Sequence, residues 1–302
     1  MGNSRWDNDS YRTYARSTDY VSKPREQVFS RDVNEKLDPR NVKVGKGDRV
    51  GLQLRESIIS EENPNPTPII LGLDVTGSMG AVAEHIAKVE LPKLMTQIHE
   101  TGVVSDPHVM FHAIDDVFAQ GHGALQVSYF EPDLKIVEQL RQLWLVGNGG
   151  GNGSESYDLS WYFAANYTYL ESYEKQNRKG FLFTFGDEPA PFATVSKRDL
   201  ETIFGPGSYE NTTPAASLKA AQEKYNVFHI VVEGRGGSSR STRQSWIDLL
   251  GPNAIFLRDT SVLTEVVLAT MAIANGADIE AVIAESKVPD ALRYAFDTAL
   301  KS

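Results

Sequence analysis

Residues 68–79 read PIILGLDVTGSM. A short apolar run (Ile69, Ile70, Leu71, Leu73) follows a proline cluster and ends abruptly in Asp74, Thr76 and Ser78, with Gly77 between the last two. A helical pattern begins at about Met79. This order describes a buried parallel strand that stops at a polar loop feeding a helix N-terminus. In open α/β sheets, ligands sit outside the carboxyl ends of the strands, so the loop lies where a ligand site is expected. Asp74, Thr76 and Ser78 place one carboxylate and two hydroxyls at alternate positions of a tight loop, where their oxygens can converge. Hard oxygen donors without thiol or imidazole suit Mg²⁺, Mn²⁺ or Ca²⁺ rather than zinc or copper. Gly77 is expected to permit the turn. The competing reading is a helix N-cap, but a cap needs one such residue, not three in alternation after a strand.

The segment Asp74-Val75-Thr76-Gly77-Ser78 resembles the metal-ion-dependent adhesion site (MIDAS) of von Willebrand factor A (vWA) domains, whose first motif is D-x-[ST]-x-S. The resemblance implies a doubly wound, Rossmann-like α/β fold: a mostly parallel six-stranded sheet, one antiparallel edge strand, and helices on both faces. The remaining patterns fit that order. Strands are predicted at 108–115, 124–130 (the antiparallel edge), 179–188, 226–232 and 254–257. Helices are predicted at 81–99, kinked by Pro92, and at 133–145, from about 154, and at 196–203, 214–225, 242–250 and 260–275. The resemblance spans roughly 66–275.

Two further loops carry candidate ligands. Five glycines fall among residues 147–153, directly before a helical pattern. A phosphate-binding P-loop is excluded because no Lys-Ser/Thr pair closes the stretch. A dinucleotide loop is excluded because the stretch follows a helix pattern, not a strand. The vWA resemblance makes it the second metal loop. The usual Thr is not evident there, and Asn152, Ser154 and Glu155 are the candidates. Glu155 is the chosen ligand, direct or through a water; the alternative is a hinge with Ser154 as a helix cap. The third loop is Gly186-Asp187-Glu188-Pro189, where Asp187 matches the family's strand-end acid. The pair Asp115-Asp116 reads either as functional carboxylates or, more simply, as loop solvation. His85 and His99 read as packing or surface residues.

The chain has 302 residues with ordinary globular composition. Thirty basic and forty acidic residues give a net charge of −10, which disfavours nucleic acid as a partner. The absence of cysteine removes disulfides, thiolate metal sites and a cysteine nucleophile. No apolar run reaches membrane-spanning length, and the polar start lacks a signal-peptide core, so a cytoplasmic protein is expected. Three regions are expected: an irregular N-terminal arm (1–66), the vWA domain (67–276) and a C-terminal extension of two short helices (277–302). The arm carries Trp6, Tyr11, Tyr14, Tyr20 and Phe29, and reads equally as an arm that wraps the main domain or docks on a partner and as a partly disordered tail.

Asp74 and Asp187 supply two carboxylates, and Thr76 and Ser78 two hydroxyls, leaving part of an octahedral Mg²⁺ shell open. The resemblance implies that an Asp or Glu of a protein partner fills it. The expected function is therefore a metal-dependent protein-binding module, not an enzyme. Intracellular bacterial and phage vWA proteins further imply an adaptor role beside a MoxR-type AAA+ ATPase. One alternative is an assembly protein that self-associates through arm and tail. A Mg²⁺-dependent hydrolase is the weaker alternative. The phosphatase motif D-x-D-x-[TV] would need Asp where Thr76 stands, and no G-x-S-x-G elbow is present.

Overall fold

The structure is a computed structural model that describes residues 5–41, 54–147, 155–233 and 238–301. The glycines at 45, 47 and 51 and the loop at 234–237 lie outside the described residues.

Helix α1 (Asn8–Thr18) and the turn α2 (Arg25–Val28) precede β1 (Arg55–Ser57) and β2 (Thr67–Asp74). After β2 come α3 (Gly80–His85), α4 (Leu91–Thr101), β3 (Pro107–Ile114), α5 (Val117–Gln120), β4 (Leu125–Val127) and α6 (Lys135–Arg141). Then follow α7 (Tyr157–Tyr167), β5 (Thr168–Leu170), α8 (Glu171–Gln176), β6 (Gly180–Gly186), α9 (Lys197–Phe204) and α10 (Pro214–Lys224). The chain closes with β7 (Tyr225–Val232), α11 (Arg240–Leu250), β8 (Ala254–Leu257), α12 (Leu263–Ala274), α13 (Ile279–Glu285), α14 (Pro289–Ala295) and α15 (Asp297–Leu300).

The main sheet runs β4-β3-β2-β6-β7-β8. All neighbours are parallel except β4, which pairs antiparallel with β3. Every residue of β2, β3 and β6 is buried, as expected of parallel strands covered on both faces. Side chains alternate between two cores. Ile69, Leu71, Leu73, Phe181, Phe183 and Phe185 face the core shared with α3, α4, α6 and α12. Ile70, Leu182, Met110 and Ile114 face the core shared with α7, α9, α10 and α11. This is the doubly wound architecture that the vWA resemblance implied. The strand order reverses between β2 and β6, and such a switch point leaves a crevice at the carboxyl ends of the strands. Asp74 ends β2, and Asp187 directly follows β6.

Several local expectations are revised. The helix expected at 81–99 is interrupted by a π-helical turn at Ile86–Glu90. The turn places Pro92 in the first turn of α4, where its missing N–H is not required. The arm is not irregular throughout. Its 11-residue helix α1 is capped by the Asp7 carboxylate, which accepts from the Ser10 N–H at 2.8 Å. Trp6, Tyr20, Val28, Phe29 and Leu37 are buried in the α3/α4/α12 core, so the described part of the arm is docked. The C-terminal extension forms three helical pieces rather than two, and Ile283, Leu292, Ala295 and Phe296 enter the same core. A second, two-stranded parallel sheet joins β1 to β5. Among the described residues no helix is long and apolar enough to cross a membrane.

Candidate metal centre

The loop after β2 is fixed from both sides. The Val75 N–H donates to the Ile114 carbonyl at 3.0 Å, and the Gly147 N–H donates to the Val75 carbonyl at 2.9 Å. The left-handed residue is Gly80 (φ 35°), at the start of α3, and not Gly77 as the sequence suggested. The loop after β6 is held against α11: Trp246 Nε1 donates to the Glu188 carbonyl at 3.0 Å, and the Ala190 N–H donates to Ser245 Oγ at 3.0 Å.

These anchors bring four of the five expected ligands into one hydrogen-bonded series. Thr76 donates to Asp74 Oδ1 through its N–H (2.9 Å) and its hydroxyl (2.7 Å). Thr76 Oγ1 and Ser78 Oγ are 3.2 Å apart, and Ser78 Oγ donates to Asp187 Oδ1 at 2.9 Å. Asp74 and Thr76 are buried, Asp187 is half-buried and Ser78 is exposed, so the series opens to solvent at one end.

The proton count is informative. Each hydroxyl carries one proton, yet three side-chain contacts compete for two protons. With both carboxylates ionised, the protons point to Asp74 and Asp187, and lone pairs of Thr76 and Ser78 face one another. Either a proton on Asp74 or a cation between the oxygens relieves this. Burial pushes the Asp74 carboxyl up to about 7, against the hydrogen bonds from Tyr157 and Thr76, and Asp187 adds to the rise. Burial likewise raises Asp187. Among the described residues no Lys, Arg or His forms an ion pair with Asp74, Asp187, Glu155 or Asp115. Nor does any group of three or more His, Asp or Glu converge closely enough to hold a metal on its own. The donor set at this loop is two carboxylates and two hydroxyls, which fits a hard divalent cation.

No protein-family model and no curated protein matches this sequence. Among solved structures, the chain is similar to vWA-type and adhesin proteins. The pilus adhesin SpaC from Lactobacillus rhamnosus GG, in its open conformation, is 11% identical with a TM-score of 0.46, over 70% of this chain and 30% of the adhesin. The von Willebrand factor type A protein from Catenulispora acidiphila is 15% identical with a TM-score of 0.37, over 71% of this chain and 44% of that protein. The conserved hypothetical protein BatB from Bacteroides thetaiotaomicron is 10% identical with a TM-score of 0.43, over 68% of this chain and 99% of BatB. The chain thus spans less than half the length of the adhesin and of the Catenulispora protein.

Glu155 stands apart from the other four. Among the described residues no hydrogen bond joins it to them, and its buried Oε2 has no partner. It lies beside the Asp115 loop, because the Ser156 N–H donates to the Asp115 carbonyl at 3.4 Å and Ser156 Oγ accepts from the Val117 N–H at 3.0 Å. Burial pushes its carboxyl up to about 9, and the charges of Asp74, Asp115, Asp116 and Glu188 push the same way. The other candidates of that loop, Asn152 and Ser154, lie outside the described residues.

Asp115 and Asp116 are not solvated loop acids. Both are fully buried, and Asp115 Oδ1 accepts from the Asp116 N–H at 2.7 Å while Asp115 Oδ2 has no partner. Burial pushes the Asp115 carboxyl up to about 6. The tight turn after β3 folds them inward, which a sequence pattern of two acids at a strand end does not disclose.

Tyr157 joins the candidate site without any motif that marks it. It reads in sequence as an apolar position of α7, yet its hydroxyl donates to Asp74 Oδ2 at 2.7 Å. Two signals were present: a buried tyrosine needs a partner for its hydroxyl, and a glycine stands directly before Asp187. A Cβ at Gly186 would lie 2.0 Å from the Tyr157 oxygen.

Proposed function

We propose that this chain is a metal-dependent protein-binding module of the cytoplasm and not an enzyme. Asp74, Thr76, Ser78 and Asp187 hold a divalent cation of the Mg²⁺ type at the switch point of the sheet, and Glu155, which shares no hydrogen bond with them among the described residues, reaches it through a water. The reading is supported above all by the series running from Asp74 through Thr76 and Ser78 to Asp187, in which two protons serve three contacts. When bound, the cation supplies an electrophilic coordination position for an Asp or Glu carboxylate of a protein partner. Asp74 and Asp187 balance its charge. The Thr76 and Ser78 hydroxyls turn their lone pairs inward, and the exposed Ser78 end leaves the partner a way in. Phe118 and Phe192 are exposed on the segments that follow β3 and β6, at the same end of the sheet, and offer the partner apolar contact.

The vWA resemblance further implies a MoxR-type AAA+ ATPase as the partner, which is analogy at the level of fold. Self-association through arm and tail is the weaker reading, since Trp6, Tyr20, Phe29, Leu292 and Phe296 are already buried in the chain's own core.

The test is calorimetric titration of Mg²⁺ into the wild type and Asp74→Asn, paired with capture of partners in Mg²⁺ and in EDTA. The expected result is metal binding by the wild type alone, and a protein partner retained in Mg²⁺ and released by EDTA. Equal capture in EDTA, or by Asp74→Asn, would overturn the reading.

A further inference from the structure

The two oxygens of Asp74 are not equivalent. Oδ1 faces the loop and receives the Thr76 N–H and hydroxyl, whereas Oδ2 receives the Tyr157 hydroxyl at 2.7 Å. Tyr157 has little freedom to leave. Its ring meets His229 edge-on (centroids 4.8 Å, 67°) and Trp246 likewise (5.4 Å, 64°). His229 is itself stacked flat on Trp246 at 3.4 Å and is bonded through Nδ1 to Thr184 Oγ1 at 2.8 Å. On the remaining side the hydroxyl lies against Gly186, where no side chain could be accommodated.

We propose that Tyr157 sets the metal specificity of the site by reserving Asp74 Oδ2, so that Asp74 presents a single oxygen to a cation. The inference rests on the metal-binding reading above and extends it to the choice of ion. A one-oxygen carboxylate suits Mg²⁺ or Mn²⁺, which take six ligands in near-octahedral order at about 2.0–2.1 Å for Mg²⁺. Ca²⁺ takes roughly six to eight oxygens at longer distances and gains from a carboxylate that lends both. With Oδ2 engaged, Asp74 Oδ1, Thr76, Ser78 and Asp187 leave room for water and one partner carboxylate in an octahedral shell. The same set falls short of the larger Ca²⁺ shell. Tyr157 is therefore a positioning residue that acts through Asp74. Removing only its hydroxyl frees Asp74 to turn and lend both oxygens.

The experiment titrates Mg²⁺ and Ca²⁺ separately into the wild type and Tyr157→Phe by calorimetry, with thermal unfolding to verify that the variant is folded. Losing an orienting partner of a metal ligand typically weakens binding about 10- to 100-fold. Mg²⁺ affinity is expected to fall about tenfold in Tyr157→Phe, while Ca²⁺ affinity holds or rises. The Ca²⁺/Mg²⁺ affinity ratio then climbs about tenfold. A folded variant whose ratio matches the wild type overturns the role of Tyr157 and leaves the metal site standing. A wild type that binds neither ion overturns both. If Tyr157→Phe does not fold, the infrared carboxylate bands of Ca²⁺-loaded wild type, less those of Asp74→Asn, report the binding mode directly. A one-oxygen signature for Asp74 is expected, and a two-oxygen signature overturns the proposal.

Discussion

Two carboxylates at the ends of β2 and β7, with β6 between them in the sheet, are both buried and treated in opposite ways. Glu233 follows β7 and has its counter-charges built in. It forms ion pairs with Arg243 at 2.7 Å and Arg258 at 3.9 Å, and it accepts from the hydroxyl of Tyr294 on α14. Arg243 lies over the Phe256 ring and Arg258 over the Tyr294 ring, so the cations are positioned by aromatic faces. Burial alone raises the Glu233 carboxyl, but the hydrogen bonds from Tyr294 and Arg243 bring it below its ordinary value. Asp74 follows the opposite course: only hydroxyls and an N–H meet it, no cationic side chain does so among the described residues, and it is held up near 7. A buried carboxylate that lacks a cation is expensive, and among the described residues two arginines stand at β7 and none at the end of β2. The contrast teaches that Glu233 has its counter-charges built in, whereas Asp74 has none among the described residues, a charge that the proposed cation would supply.

Substitutions should therefore act with opposite signs at the two places. Glu233→Ala leaves two arginines and a tyrosine hydroxyl without their acceptor and loosens α14 from β8. A loss of about 3 kcal/mol is expected in urea denaturation, with Mg²⁺ affinity unchanged. Asp74→Asn removes a charge that has no counter-ion among the described residues. In EDTA at pH 8 the variant should be more stable than the wild type by about 1 kcal/mol. In saturating Mg²⁺ the order should reverse, because only the wild type gains from binding. The same sign at both positions, in EDTA, would erase the distinction between them.

Titration sharpens the comparison further. Glu155, Asp74 and Asp158 carry folded-state values of about 9, 7 and 7, all above their unfolded values. Between the unfolded and folded values the native state binds more protons than the unfolded chain, so stability falls as pH rises. The buried histidines work the other way. His108 and His112 are depressed to about 4 and 3 by burial, so their contribution is complete above their ordinary value near 6.5 and is lost only on acidification. From pH 7 to 9, then, the carboxylates act without them. In EDTA the melting temperature should fall by about 3–5 °C across that window, and saturating Mg²⁺ should flatten the slope. Parallel slopes with and without Mg²⁺ would separate the carboxylates from any cation.

Much of this frame was readable in the chain. The strands of the main sheet were readable because runs such as Ile69–Leu73 and Phe181–Phe185 are apolar on both faces, a pattern that local sequence carries. The spacing of Asp74, Thr76 and Ser78 and the vWA resemblance at Asp187 pointed to residues that the structure joins by hydrogen bonds. What escaped depends on distant residues. The strands β1 and β5 are three residues each and exist only as a pair across more than a hundred residues of chain. Tyr157 is defined as a site residue by Asp74, far away in sequence, and by space left at Gly186. The burial of Asp115 and Asp116 follows from how Ser156 closes over their turn. Glu233, Arg243, Arg258 and Tyr294 form a group that no spacing rule connects.

The smallest effect on stability is expected where exposure is greatest. Phe192 is 76% exposed and Phe118 is 52% exposed, the most exposed large apolar side chains among the described residues. Phe118 follows β3 and Phe192 follows β6, at the end of the sheet that carries the candidate site, and α9, which follows Phe192, packs against the 3₁₀ turn that follows α5. Phe192→Ala removes no core contact and should change stability by less than about 0.5 kcal/mol. If a partner docks over the site, an exposed phenyl beside the entrance is the kind of anchor whose truncation weakens binding by about 1–2 kcal/mol. The measurement is the affinity for the protein that Mg²⁺ retains and EDTA releases, compared with Val21→Ala. Val21 is also exposed, at 47%, but belongs to the N-terminal arm. Equal losses for the two variants would move the docking surface away from the strand ends; a loss confined to Phe192→Ala would place the partner over the same end of the sheet as Asp74 and Asp187.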